Sequence, residues 1–294
     1  MKKINMVDLN GQYRKIRWQV NREIKKVINS SSFINGPIVK EFQNNLQKYV
    51  DVKHVIPCAN GTDALQIALM ALELKRGDEV ITTNFSFAST IEVILLLGLK
   101  PVVVDVDLET LDVNVERLEE AVSSKTKAIM IAHTLGNPFD LDSVQRICKE
   151  NNLWLVEDSC DSLGSTYNGK RTGSFGDTAS VSFYPAHHIT TGEGGAVFVK
   201  SPLVKKQVES FRDWGRDCYC DTGCDNTCKK RFEWQLGDLP LGYDHKYIYS
   251  HIGYNLKATD MQAALGLTQL AKVELFIQKR KDNYEYLKKH LSLV

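Results

Sequence analysis

The sequence predicts an α/β domain built on a mostly parallel central sheet flanked by helices. Two observations carry this. Between Asp78 and Val199, short β-rich apolar runs alternate with stretches of helical periodicity, as βαβ units require. Ahead of them, an apolar run from Val55 ends in a Gly-Thr turn and gives way to a helix, an order that leaves backbone amides pointing outward at the helix start. With 294 residues there is enough chain for one large domain with a sizeable core, plus the beginning of something else.

In chain order, apolar residues at Ile16, Val20, Ile24 and Val27 follow a helical period that breaks at Ser30-Ser-Ser32 and Asn35-Gly-Pro37. A second amphipathic helix is expected from Ile38 to Val50. Val80–Thr83, Lys100–Asp105, Ala128–Ala132 and Trp154–Asp158 are short β-rich runs between helical stretches and read as strands. The crossover helices expected between and beside them run over Ser89–Gly98, Asn114–Val122 and Leu141–Asn151. A further strand is expected over Thr178–Tyr184 and another over Ala196–Val199, joined by a loop whose Gly192, Gly194 and Gly195 permit a tight return. A last helix is expected from Thr259 to about Leu291. Ligands of open α/β sheets gather at the carboxyl ends of the strands, where Phe85–Phe87, His133–Asn137 and Glu157-Asp158 fall.

A formal net charge of +1 gives no reason to expect nucleic acid or an anionic membrane surface as a partner. The first twenty residues hold basic groups but no apolar signal core, and no apolar run approaches membrane-spanning length. The expected location is the cytoplasm, where the seven cysteines are thiols or metal ligands rather than disulfides. Cys58 and Cys148 lie in apolar contexts, whereas Cys218, Cys220, Cys224 and Cys228 crowd into one polar loop.

Several residues are candidates for chemistry. The amides of Gly61 and Thr62 suit an anion, although Asn60-Gly-Thr-Asp63 is also a good turn and helix cap. Asp158, directly after an apolar strand, either caps the next turn or faces a ligand. In Ser182–Gly195 the pair His187-His188 sits between a strand and a glycine-rich return, and an imidazole there can move a proton near neutral pH.

Asn60-Gly-Thr-Asp-Ala-Leu65, Phe87-Ala-Ser-Thr90, Glu157-Asp158, Ser182-Phe-Tyr-Pro185 and Gly253-Tyr-Asn-Leu-Lys-Ala-Thr-Asp-Met-Gln-Ala-Ala264, in this order, resemble the DegT/DnrJ/EryC1/StrS family over nearly the whole chain. These are nucleotide-sugar aminotransferases and dehydrases with the fold type I, aspartate aminotransferase-like architecture. The resemblance implies a pyridoxal or pyridoxamine 5'-phosphate cofactor. Gly61, Thr62 and Ser182 would bind its phosphate, Phe87 would stack on its ring, and Asp158 would pair with the ring nitrogen. Asn255 would reach the phosphate of the partner subunit in a homodimer.

Most of the family carries a lysine where this chain has His187; the amine of that lysine captures the cofactor aldehyde, which imidazole cannot do. Tyr184-Pro-Ala-His-His-Ile-Thr190 and the glycine return resemble the CDP-4-keto-6-deoxyglucose 3-dehydrases of 3,6-dideoxysugar and O-antigen lipopolysaccharide synthesis, which implies that His187 is the proton-transfer residue. That branch holds a 2Fe-2S cluster on four cysteines. Here 57 residues separate Cys160 from Cys218, one separates Cys218 from Cys220 and seven separate Cys220 from Cys228, intervals that agree with the branch. The same four residues could equally build a zinc site. The likeness further implies a nucleotide-sugar substrate and an NADH-dependent flavin iron-sulfur reductase as electron source. The first half looks more like the lysine-bearing 3-keto-sugar aminotransferases, so an aminotransferase-family protein, a cluster-free GDP-sugar 3-dehydratase and an inactive truncated homologue stand as alternatives. Residues 1–255, with the cysteine loop at 216–230, are expected to form the large cofactor-binding domain. Residues 256–294 are expected to hold a linking helix and the start of a smaller C-terminal domain that is largely absent.

Overall fold

The computed structural model describes residues 7–218, 220 and 226–291. Two helices come first, α1 (Leu9–Ser30) and α2 (Pro37–Val50). Strand β1 (His54–Cys58) then leads into α3 (Gly61–Met70), and βαβ alternation follows: β2 (Glu79–Thr83), α4 (Ala88–Leu96), β3 (Lys100–Val104), α5 (Val115–Glu120), β4 (Thr126–Ala132), α6 (Leu141–Asn151) and β5 (Trp154–Asp158). A small hairpin, β6 (Thr166–Tyr167) and β7 (Lys170–Arg171), precedes β8 (Thr178–Ser182) and β9 (Gly195–Val199). Helices α7 (Pro202–Arg212), α8 (Asp260–Leu270) and α9 (Val273–Leu291) close the order.

Seven strands form one sheet in the order β1-β9-β8-β5-β4-β2-β3. The pairings β8 with β5, β5 with β4, β4 with β2 and β2 with β3 are parallel, and only β9 runs against its two neighbours. Successive side chains on a strand face opposite ways, and each face has its own helices to bury against. On one face Ile56, Val80, Met130, Val156 and Val197 pack with α3, α4 and α7. On the other, Val55, Val181 and Phe198 pack with α1, α2 and α8, while Ile81, Ile129, Ile131 and Leu155 pack with α5 and α6. Burying each such side chain contributes about 1.5–3 kcal/mol, which makes the sheet the rigid floor on which loops are mounted. No helix among the described residues is long and apolar enough to cross a membrane.

The fold class and the strands of the central sheet stand as expected, the β6–β7 hairpin was not expected, and two differences lie in the helices. The C-terminal helix breaks at Ala271-Lys272, so α8 is inside the core while α9 is exposed throughout Gln278–Leu291. A capping box of Thr259 and Gln262 starts α8. Helix α7 was not expected from the sequence, although Ser201 caps it and Pro202 occupies its first turn, both start signals.

Candidate active site

A cavity of about 910 Å³ opens at the carboxyl ends of β2, β4, β5 and β8. At one end lies the start of α3. The Asn60 carboxamide accepts the Asp63 amide at 2.9 Å, and the first amides of the helix, Gly61 and Thr62, have no carbonyl within it to bond. The backbone comes so close to β8 that a Cβ on Gly61 would meet the Ser182 Cβ at 2.6 Å and its Oγ at 2.9 Å. Only glycine lets the helix start and the Ser182 hydroxyl share this small space, forming a cradle with anion-binding character.

In the cavity wall, the Asp158 carboxylate is 5 % exposed and ends β5. It accepts from the Thr90 hydroxyl at 3.1 Å, the Cys160 amide at 3.2 Å and the Ser180 hydroxyl at 3.3 Å. Its neighbour Glu157 points to the opposite face of the sheet and is fully buried. There it accepts the amides of Gly173, Phe175 and Gly176 at 2.6–2.8 Å and contacts Nε2 of His133 at 2.8 Å. Burial pushes the Glu157 carboxyl up, but the hydrogen bonds from His133 and from these amides outweigh it and leave its pKa below the ordinary value. His133 itself stacks on Phe139 with 4.4 Å between ring centroids. Phe87, the cap residue of α4, stands 75 % exposed on the cavity lining.

His187 lines the same cavity, on the loop between β8 and β9. Its Nδ1 lies 2.9 Å from Oδ1 of Asp161, and the Asp161 carboxyl is held below its usual range, first by this hydrogen bond. Asp161 was missed from the sequence. Its only signal is an acidic residue three positions past Asp158 on the turn that leaves β5. His188 is different: burial pushes its pKa down to about 4, its Nδ1 has no partner, and it is not on the cavity lining. Of the two histidines, only His187 is placed to meet a ligand.

Residues 14–294 match the DegT/DnrJ/EryC1/StrS aminotransferase family. The chain belongs to that family. Among its relatives, the lipopolysaccharide biosynthesis protein RfbH of Salmonella typhimurium is 57% identical over 259 residues, covering 85% of this chain and 59% of that protein. The dTDP-4-dehydro-2,6-dideoxy-D-glucose 3-dehydratase of Saccharopolyspora spinosa is 49% identical over 265 residues, 87% of this chain and 57% of that protein. The chain thus spans less than three fifths of the length of these two relatives. Among solved structures, the E. coli GDP-4-keto-6-deoxy-D-mannose-3-dehydratase with bound hydrated PLP superposes with a TM-score of 0.80 at 28% identity, over 92% of this chain and 69% of that one.

The cavity fits the cofactor of the DegT/DnrJ/EryC1/StrS family. A glycine cradle and a hydroxyl suit a phosphate, a buried carboxylate suits a protonated ring nitrogen, and an exposed phenyl ring suits stacking. Gly61, Thr62, Phe87, Asp158, Ser182 and His187 all line it, and no lysine is among the described residues that do. Asn255 does not line it; it is exposed and bridges to Asp213 beside the end of α7.

The four cysteines expected to hold a cluster do not stand as one group among the described residues. Among the described residues no group of three or more His, Cys, Asp or Glu is arranged to hold a metal ion. Cys160 turns under the start of α3, its sulfur 3.8 Å from the Ser180 hydroxyl, and burial, then Asp158, pushes its thiol well up. Cys218 and Cys220 hydrogen-bond to each other beside α2 and α7, and Cys228 lies 3.2 Å from Nε2 of the buried His245. The turn after β5 places Cys160 on the lining of the large cavity, while Cys218 and Cys220 line a separate cleft of about 350 Å³. Cys224 lies outside the described residues.

Proposed function

We propose that this chain is the cofactor-binding part of a vitamin-B6-dependent enzyme that removes the C3 hydroxyl of a nucleotide-linked 4-keto-6-deoxyhexose, in deoxysugar and lipopolysaccharide O-antigen biosynthesis. The observation that carries the reading is His187 on the lining of a cavity fitted to the cofactor, with no lysine among the described residues that line it. The names of the two relatives, one a lipopolysaccharide biosynthesis protein and one a sugar 3-dehydratase, support the substrate class.

Bound pyridoxamine phosphate would supply an amine for the C4 ketone and a ring that accepts electrons. The residues of this chain do the rest. Gly61, Thr62 and Ser182 hold the phosphate and Phe87 covers the ring. Asp158, buried with three donors on it, faces the ring nitrogen and keeps it protonated. His187 takes the proton whose removal precedes loss of the C3 hydroxyl. Asn255, exposed and clear of its own cavity, completes the phosphate site of a second copy in a homodimer. Residues 1–255 form the large domain and 256–294 the link to a smaller one, in keeping with the exposed end of α9. The enzyme works in the cytoplasm.

A 2Fe-2S cluster on Cys160, Cys218, Cys220 and Cys228, fed by an NADH-dependent flavin iron-sulfur reductase, is the form of the reaction that the cysteine intervals favour. The separation of Cys160 from the loop cysteines favours a second reading, a cluster-free GDP-sugar 3-dehydratase, and no step above depends on a cluster.

The deciding experiment incubates the protein with pyridoxamine phosphate and either CDP-4-keto-6-deoxyglucose or GDP-4-keto-6-deoxymannose in ¹⁸O-water and follows exchange of the C3 oxygen. Exchange is expected with one sugar, and its absence with both overturns the reading. Proton transfer by a placed base is worth about 100- to 10,000-fold, so His187→Asn should lose dehydration by that factor while still binding the cofactor. Anaerobic reconstitution separates the two forms: about two irons and two sulfides per chain select the cluster, and full turnover without iron selects the cluster-free enzyme.

A further inference from the structure

We infer that Asp161 is the positioning residue for His187, holding the imidazole as the tautomer with its proton on Nδ1 and Nε2 free. The inference deepens the reading of His187 as the proton-transfer residue and rests on it. A carboxylate only accepts hydrogen bonds, so across the 2.9 Å contact with Oδ1 of Asp161 the imidazole nitrogen is the donor. Nε2 is then left with its lone pair for the cavity that His187 lines. As Nε2 takes a proton, the carboxylate already in place at Nδ1 stabilises the imidazolium.

The backbone of Asp161 is closely packed, and that of His187 is held by hydrogen bonds. Behind Asp161 sits Gly136 at φ +86°, where a Cβ would meet the Asp161 carbonyl oxygen at 2.7 Å, and the Ser165 hydroxyl holds the Gly136 carbonyl at 2.7 Å. Leu135, beside it, is at φ +53° and 76 % exposed on the cavity lining. On the other side, the His187 amide donates to the Tyr184 carbonyl at 3.0 Å. The His187 carbonyl accepts from Nη2 of Arg280 on α9 at 3.2 Å. The imidazole is 20 % exposed and the Asp161 side chain 56 %, so one edge of the pair faces the cavity while the hydrogen bond stays fixed.

The test uses the whole chain loaded with pyridoxamine phosphate and labelled with ¹⁵N-histidine. The His187 resonances are assigned by their loss in His187→Gln. In the wild type the Nδ1-protonated tautomer is expected. Asp161→Asn, whose amide can donate to Nδ1, should shift His187 to the Nε2-protonated tautomer, and Asp161→Glu should restore the first. In turnover, Asp161→Asn should lower kcat on the order of 100- to 10,000-fold with KM little changed, and Asp161→Glu should recover at least part of it. A wild-type His187 protonated on Nε2, or a tautomer that Asp161→Asn leaves unchanged, overturns the assignment, as does an altered tautomer with unaltered kcat. The tautomer needs no turnover to be read. If it responds as expected while His187→Asn still dehydrates, the pairing holds and it is the proposed function that falls.

Discussion

His188 sits one residue past the candidate base and in a different environment, which gives it a separate signature. Burial lowers its pKa to about 4, with the nearby Arg280 guanidinium adding to the effect. A histidine whose folded value lies below its unfolded one binds the proton more readily in the unfolded chain. Its neutral form is fully compatible with folding above about pH 6.5, and stability is lost as pH falls from there toward 4, by at most about 3 kcal/mol. Urea midpoints measured between pH 7 and pH 4.5 should fall in the wild type and fall less in His188→Gln. Asp161 shows the limit of reading single residues. Its pairing with His187 joins the turn after β5 to the loop between β8 and β9, which meet only in the folded chain, so its place three residues past Asp158 was its one local mark.

Elements were legible where each carries its own period. β5 and α6 stand at the expected residues because a short bounded apolar run and an apolar stripe at helical spacing each specify themselves. What joins elements was less legible. Asp260, the first residue of α8, is fully buried and accepts the amides of Gly36, Ile38 and Val39 at 2.7–3.2 Å, so it caps α2 from more than two hundred residues away. The sequence break at Asn35-Gly-Pro37 lacks a capping side chain of its own, and the partner could not be read from it. Asp260→Ala leaves these amides unsatisfied and should destabilise the protein by about 1–3 kcal/mol, seen as a lower urea midpoint with an unchanged slope.

At the scale of the whole molecule, the parallel core of the sheet follows from βαβ alternation, but the insertion of β9 between β1 and β8 does not. That placement depends on pairing between strands nearly 140 residues apart, a matter of packing two faces at once rather than of any run of residues. The cysteine intervals meet the same limit, since spacing along a chain carries no direction in space. Exposure of the end of α9 makes a further expectation. Deleting residues 281–294, which keeps Arg280, should change folding stability by no more than about 0.5 kcal/mol in chemical denaturation, because the deleted residues that are described bury nothing. The adjacent carboxylates of β5 have a consequence for how the chain reaches this state. Glu157 and Asp158 face opposite sides of a central strand with unlike sets of donors. A one-residue slip of β5 during folding would reverse them, stranding three amides on one side and driving a bulkier acid among Thr90 and Ser180 on the other. Both acids are therefore satisfied together only in the native register of β5.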